Sequence, residues 1–429
     1  MQLILVFFLI LQLQILHNKS VKNLSEYLYL AHLTNYEGLE SGSEGYLNDA
    51  VGKFYLALKY LPRYREAQLN LKIISDYENE IINRSQAKQL FSSALLLKRQ
   101  NYSDAENIID DLVRELPEYY PLSIYQGITY LKLKKYILGK KALTRVIMLR
   151  PNDPYALYLR AQLNHAGSNI SEAINDYSIA VMIDSNYAEA YWGRGLVWRD
   201  MHNLDQTILD FETALSLNPI YANFLEENLQ IFESYNNRGI RSLKSGNYHE
   251  AVEDFNRALE FNNQFSEPVI NLGTAYRKLH KYDKALYFYN KAVEIDSVNP
   301  DVYFNRGIFY KETEQIDLAI DDFQKAISLN STNSDFYSNL GEMHFYKQNY
   351  KKAIYYFKKA IDINKNDAWI YYWLALSYDN MKRWDKAITF YQKFIDYTPH
   401  IYYEHRLKAV ERKRRLKKWL LKHKFNQQR

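Results

Sequence analysis

Asparagine recurs at Asn237, Asn271, Asn305 and Asn339, four times in succession at a strict 34-residue spacing. A side-chain amide carries both a donor and an acceptor, so such a row can bond both edges of an extended peptide without demanding its sequence. Four residues before each amide stands an acid: Glu233, Glu267, Asp301 and Asp335. Residues four apart share a helical face, so the chemistry offered is alternating carboxylate and amide, suited to recognition rather than to bond-making. An acid in the first turn of a helix also gains about 0.3–1 kcal/mol from the helix dipole, a structural reason for the same residues.

Groups arranged for catalysis are not found. The ten histidines are scattered, none with a ligand-like partner four residues on. Gly193-x-Gly195 opens like a nucleotide loop, but no strand precedes it. The chain contains no cysteine, which excludes disulfides, thiolate metal sites and a cysteine nucleophile. The runs of Asp and Glu fall on outward helical faces, where solvation is the expected state. No catalytic residue, metal or cofactor is expected, so the chain reads as a non-enzymatic binding protein.

Charge is unevenly placed. The formal net charge is +5, yet His405–Arg429 holds eleven Lys and Arg against the single Glu411. A mildly acidic body therefore ends in a strongly basic segment, with Arg412, Arg414, Arg415, Lys417 and Lys418 as its candidate contacts. The segment has two readings. As a polar-faced cap it would turn Leu407, Val410, Leu416, Trp419 and Leu420 inward. As a contact surface it would dock on an anionic membrane, or on the acidic surface of a second copy, with nucleic acid the least favoured partner.

The first eleven residues, Met1-Gln-Leu-Ile-Leu-Val-Phe-Phe-Leu-Ile-Leu11, are almost wholly apolar. That length matches a signal-peptide core and falls short of the roughly 20 apolar residues of a spanning helix. Residues 1–20 are expected to act as a signal peptide or N-terminal anchor, placing the protein in the cell envelope rather than the cytoplasm. Against cleavage stand the missing basic residue before the core and the poor junction at His17-Asn18-Lys19-Ser20.

The elements that hold these residues follow from the period itself. Small residues run in three ladders: Gly239, Gly273, Gly307, Gly341 and Ala375; Ala251, Ala285, Ala319, Ala353 and Ala387; Ala258, Ala292, Ala326 and Ala360. Such spacing lets two antiparallel helices approach closely and the next pair stack on them, which is a solenoid. Scarce glycine and proline, 14 and 9 residues, agree with a mostly helical chain. Tyrosine is abundant at 40 residues and suits the walls of shallow grooves.

The stretch Pro268-Val-Ile-Asn-Leu-Gly-Thr-Ala-Tyr276, followed by Tyr282, Ala285, Tyr289 and Ala292, resembles the tetratricopeptide repeat, as does Tyr337–Gly341 with Tyr350, Ala353, Phe357 and Ala360. Units in this phase begin at Ala31, Gln86, Tyr120, Pro154, Ala188, Phe232, Ser266, Pro300, Ser334 and Ala368. Extra helix-like residues interrupt the phase at 65–85 and at 222–231. The first resembles a repeat helix that runs long, and the second is a natural hinge. The expected organisation is a block at 31–221, a block at 222–401 and a basic capping helix at 402–429. Ser41–Gly45 is expected to be the turn inside the first unit.

The resemblance implies an all-α, right-handed superhelix of about ten repeats. It also implies that positions 2, 5, 6, 9, 12 and 13 of each first helix line the concave groove. The asparagines occupy position 6 and the acids position 2, with Phe304, Phe345, Tyr346 and Tyr372 as apolar footing for a bound peptide. Asn and Glu at these positions are also frequent in the family, so family background stays open beside a working ladder. The Lys/Asn clamp by which some members hold an acidic chaperone tail is absent, because position 5 holds Asn236, Ile270, Phe304, Ser338 and Tyr372. The expected partner is a protein or peptide, and the expected role is a scaffold in the assembly of a larger envelope complex.

Overall fold

The computed structural model describes residues 19–219, 225–399 and 402–427. Residues 1–18 of the expected export segment lie outside them, as does the expected block boundary at residue 222. All regular structure among the described residues is helical, and none of these helices is long and apolar enough to cross a membrane. Two compact units are formed, Met1–Tyr235 and Asn236–Arg429.

The first unit opens with the hairpin α1 (Lys19–Glu44) and α2 (Leu47–Tyr60), then α3 (Arg65–Glu78). Four hairpins follow: α4 (Arg84–Lys98) with α5 (Tyr102–Glu115), α6 (Tyr120–Lys132) with α7 (Tyr136–Leu149), α8 (Pro154–Ala166) with α9 (Ile170–Ile183), and α10 (Ala188–Asp200) with α11 (Leu204–Leu217). Helix α12 (Leu225–Lys244) runs across the division between units. The second unit continues with α13 (Tyr248–Phe261), α14 (Ser266–Lys278), α15 (Tyr282–Ile295), α16 (Pro300–Glu312) and α17 (Ile316–Leu329). It closes with α18 (Ser334–Tyr346), α19 (Tyr350–Ile363), α20 (Ala368–Asn380), α21 (Trp384–Tyr397) and the terminal α22 (Tyr403–Gln427).

Close packing inside each hairpin explains the small residues. A Cβ added at Gly307 would lie 2.7 Å from Phe323 Cε1, so only glycine lets α16 sit this near α17. The same contact recurs between Gly341 and Phe357. Ala285, Ala292, Ala319 and Ala326 are fully buried for the same reason. Each hairpin turns through a left-handed residue, for example His280, Glu314, Gln348 and Lys382 at φ 57–61°. Side-chain caps start several first helices: Asn299 accepts from Asp301 N at 2.9 Å, and Asn333 from Asp335 N at 2.9 Å.

Three expectations are corrected. Ser41–Glu44 is helical, and the turn lies at Gly45–Tyr46, because a first helix counted from Ala31 runs to this point, one residue beyond the thirteen of the later units. The interruption at 65–85 is not one long helix. It holds a complete helix, α3, and a turn through Glu80 in the left-handed region before α4 starts afresh on a capping box at Asn83. In the acidic runs Glu253-Asp254 and Asp321-Asp322, expected on outward, solvated faces, Asp254 and Asp322 are buried.

Candidate functional site

Successive first helices touch one another, α14 with α16 and α18 with α20 in the second unit, whereas no two successive second helices make comparable contact among the described residues. The first helices therefore line the inner face of each stack. Contacts between neighbours confirm which positions look inward. Asn236 donates to Glu267 at 3.3 Å, and the Lys311 ammonium donates to Asn339 at 2.8 Å and Glu342 at 3.0 Å.

On this face Glu233, Glu267, Asp301 and Asp335 are exposed. Among the described residues no Lys or Arg forms an ion pair with any of them. The amides one turn later are less open. Asn237 is exposed, while Asn271, Asn305 and Asn339 are half-buried. Asn305 and Asn339 each donate to the backbone carbonyl four residues earlier, Asp301 O and Asp335 O, at 2.9 Å. The oxygen of Asn339 is held by Lys311, and the buried Nδ2 of Asn271 has no partner. What the second unit's row offers an incoming peptide in this conformation is chiefly acceptor chemistry, the carboxylates of Glu267, Asp301 and Asp335 and the oxygen of Asn305, with the exposed amide of Asn237 beside them.

The aromatic footings are placed differently. Phe304 packs between Phe323 and Phe336, with ring centroids 5.8 and 4.9 Å away, and so joins one repeat to the next. Tyr372 lies against Phe394 and faces a cavity of about 380 Å³ that α22 closes with Ala409 and Arg412. Phe345 and Tyr346, also expected as apolar footing, form the more open aromatic surface together with Trp373, which was not singled out from the sequence. Trp373 stands 5.2 Å from Phe345 and 6.0 Å from Tyr346, which is 53% exposed.

A second ladder escaped the sequence reading. Arg160, Arg194, Arg238 and Arg306 each form a two-pronged pair with the Asp sixteen residues later: Asp176, Asp210, Asp254 and Asp322. Three of these arginines also reach back sixteen residues, to Thr144, Ser178 and Asn290. One guanidinium thus ties its own hairpin to the preceding one. The signal was present in the sequence. Where the first residue is Leu272, Leu340 or Leu374, the residue sixteen on is Phe288, Tyr356 or Phe390. Most hairpins carry either an ion pair or an apolar pair at this place; the exceptions are Ser92 with Ile108 and Gln126 with Ala142.

The terminal helix docks by part of the expected face, through Leu416 and Trp419, and adds Ala409 and Arg412 to it. Ala409 and Leu416 are buried, and Trp419 packs edge-on to Trp384 at 3.7 Å. Arg412 makes two bonds to Asp379, at 2.7 and 2.9 Å, and is therefore part of the docked face rather than a free basic contact. Leu407 and Val410, expected inside, are 43% and 37% exposed. Leu407 lies two positions before Ala409 and five before Arg412, and Val410 one after the first and two before the second, offsets that turn both away from the docked face. Arg414, Arg415, Lys417 and Lys418 are exposed, with Arg415 only loosely paired to Glu411 at 3.8 Å.

His344 is buried against Tyr356, rings stacked 5.3 Å apart, and neither ring nitrogen has a hydrogen-bond partner. Burial pushes its pKa down, and Lys352 and Lys347 push it further, so the imidazole is held neutral. Among the described residues no cluster of three or more His, Asp or Glu could hold a metal ion.

Family models described as tetratricopeptide repeat match residues 232–265, 300–333, 334–367 and 356–389, and one described as TPR repeat matches 273–314. The chain is similar to tetratricopeptide repeat protein 13 of Homo sapiens, 27% identical over 182 residues, which is 41% of this chain and 20% of that protein. It is also similar to a DnaJ homolog subfamily C member 7 homolog of Dictyostelium discoideum, 34% identical over 101 residues, 22% of this chain and 18% of that one. The chain thus spans about a fifth of the length of these relatives. Among solved structures, yeast Tom70 aligns over 91% of this chain and 96% of its own, at 14% identity and a TM-score of 0.41.

Proposed function

Because the chain is a tetratricopeptide-repeat protein, we propose that it is a non-catalytic protein–protein interaction scaffold that binds a partner segment along the inner face of its second unit. The observation that carries this reading is the row Glu267, Asp301 and Asp335 of the second unit, exposed and, among the described residues, free of ion pairs on the first-helix face. Three uncompensated carboxylates at one repeat spacing favour a basic segment and repel an acidic one. The asparagines add acceptors and, by turning away from their own helix carbonyls, donors. The Trp373–Tyr346 surface gives apolar contact at one end. The apolar stretch at residues 1–11 supports a role in assembling a complex in the cell envelope.

The test is a pull-down from the native cell with the full chain against a variant carrying Glu267→Lys, Asp301→Lys and Asp335→Lys. All three sites are exposed, so helicity is expected to hold. Loss of a specific partner supports the reading, and its retention removes it.

A second reading rests on α22. Its undocked side presents Leu407, Val410 and Leu421 among exposed basic residues, the composition of a helix that lies in a membrane interface. Flotation with anionic vesicles that fails on Arg414→Glu/Lys417→Glu/Lys418→Glu would support it. Flotation equal on neutral and anionic vesicles would remove it.

A further inference from the structure

Helix α3 has no counterpart in the repeat, and its position gives it a role. It packs on α2 and reaches across α4 and α6, touching the first helices at groove-facing positions. The Asn70 amide donates to Asn35 on α1 at 3.0 Å, and its oxygen accepts from the Tyr125 hydroxyl on α6. Glu66 pairs with Lys98 on α4 at 2.5 Å. Asp76 accepts from the Tyr119 hydroxyl at 2.9 Å. At its start Arg63 and Arg65 both pair with Asp184, just before α10, and the Arg65 guanidinium lies over the Tyr187 ring at 5.2 Å. Asn35, Tyr125 and Lys98 fall at positions 5, 6 and 13 of their units, the places that face the groove.

We propose that the inner face of the first unit is a helix-binding groove and that α3 is its resident ligand, displaced when a partner helix takes the same seat. Three features carry this. The seat runs along the groove from α1 past α4 and α6 to the approach to α10, as Asn35, Lys98, Tyr125 and Asp184 mark it. The apolar side of α3, Ala67, Leu69, Ile73 and Ile74, is buried while polar and ionic pairs fix its register, the anatomy of an amphipathic helix held in a groove. Both ends of α3 leave through short irregular segments, Leu61–Tyr64 and Asn79–Asn83, so the helix can leave without unwinding α2 or α4. The displacing partner has a defined chemistry: an amphipathic helix carrying a carboxylate, an amide four residues on and a second carboxylate six further, the pattern of Glu66, Asn70 and Asp76. It is the opposite of the basic segment proposed for the second unit, so the two sites take different ligands and their tests are independent.

The probe is a fluorescein-labelled synthetic peptide of residues 63–80, titrated against the full chain and against its Glu66→Ala/Asn70→Ala/Asp76→Ala variant. With α3 loosened, the peptide should bind the variant at least tenfold more tightly than wild type. Equal or undetectable binding to a variant whose α6 and α8 amides stay protected would overturn the proposal. Hydrogen exchange on the unmodified chain decides it independently of whether the variant folds. Amides of α3 should exchange at least tenfold faster than those of α6 and α8, and a common rate for all three would mean that α3 is core.

Discussion

Replacing Arg306 by Leu should cost far more than its partly exposed position indicates. The guanidinium holds Asp322 through bonds of 2.8 Å from Nε and 2.8 Å from a terminal nitrogen, and reaches Asn290 at 2.9 Å. The Asp322 side chain is 8% exposed and Arg306 19%, so the pair is largely desolvated. Removing only the cation leaves a buried carboxylate uncompensated, a loss of about 3–5 kcal/mol. The chain already contains the alternative solution at Leu272 and Phe288, one repeat earlier. Arg306→Leu/Asp322→Phe should therefore recover to within about 1 kcal/mol of wild type, since a well-packed apolar pair often equals a buried ion pair. A solenoid opens locally, so the assay is hydrogen exchange of α16 and α17 rather than a global melt. The single variant should raise their opening constants by about 100-fold or more, at 1.4 kcal/mol per decade. Equal exchange in single and double variants would show that the pair is not the unit of stability and would refute the reasoning.

Other outcomes follow from the same packing. Gly307→Ala drives a methyl to within 2.7 Å of Phe323 and should destabilise by about 1–3 kcal/mol, read as lost protection in α16. His344 is held neutral by burial, so its folded pKa lies below the unfolded value and the unfolded chain binds more protons as pH falls. Stability near α18 should thus be full above the unfolded pKa and decline as pH drops below it, and His344→Tyr should flatten that slope between pH 7.5 and 5.5 in denaturant titrations. Arg412→Ala leaves Asp379 unpaired beneath α22, at a cost of about 1–3 kcal/mol that solvent at the half-exposed Arg412 side chain moderates. Limited proteolysis should then cut first within α22, while the cleavage rate elsewhere stays unchanged.

The repeat itself was legible because its signal is steric: glycine against an aromatic ring and alanine at the helix crossings leave little choice of fold. First helices begin at Ser266, Pro300, Ser334 and Ala368, where the phase put them. The Arg–Asp ladder was legible too, through the paired change to Leu and an aromatic, but charged residues viewed one at a time were assigned to solvent. Helix α3 was harder. No glycine or proline separates it from α4, and its end is set by Glu80 in a left-handed conformation that Glu rarely adopts. The rotation of α22 had no clear signal, since apolar residues recur at helical spacing on both its faces. The asparagine row was visible at once, whereas its hydrogen bonds to Asp301 O, Asp335 O and Lys311 depend on rotamers that spacing does not set.

The inner face of the second unit is the central claim, and the most direct test places a photo-crosslinking benzoylphenylalanine there. With the residue at Asn305, on the first-helix face, and in a second protein at Gln324, exposed on α17, irradiation in the native cell should give a discrete protein adduct from position 305 alone. Adducts from 324 and none from 305 would place the working surface on the second helices and contradict the account.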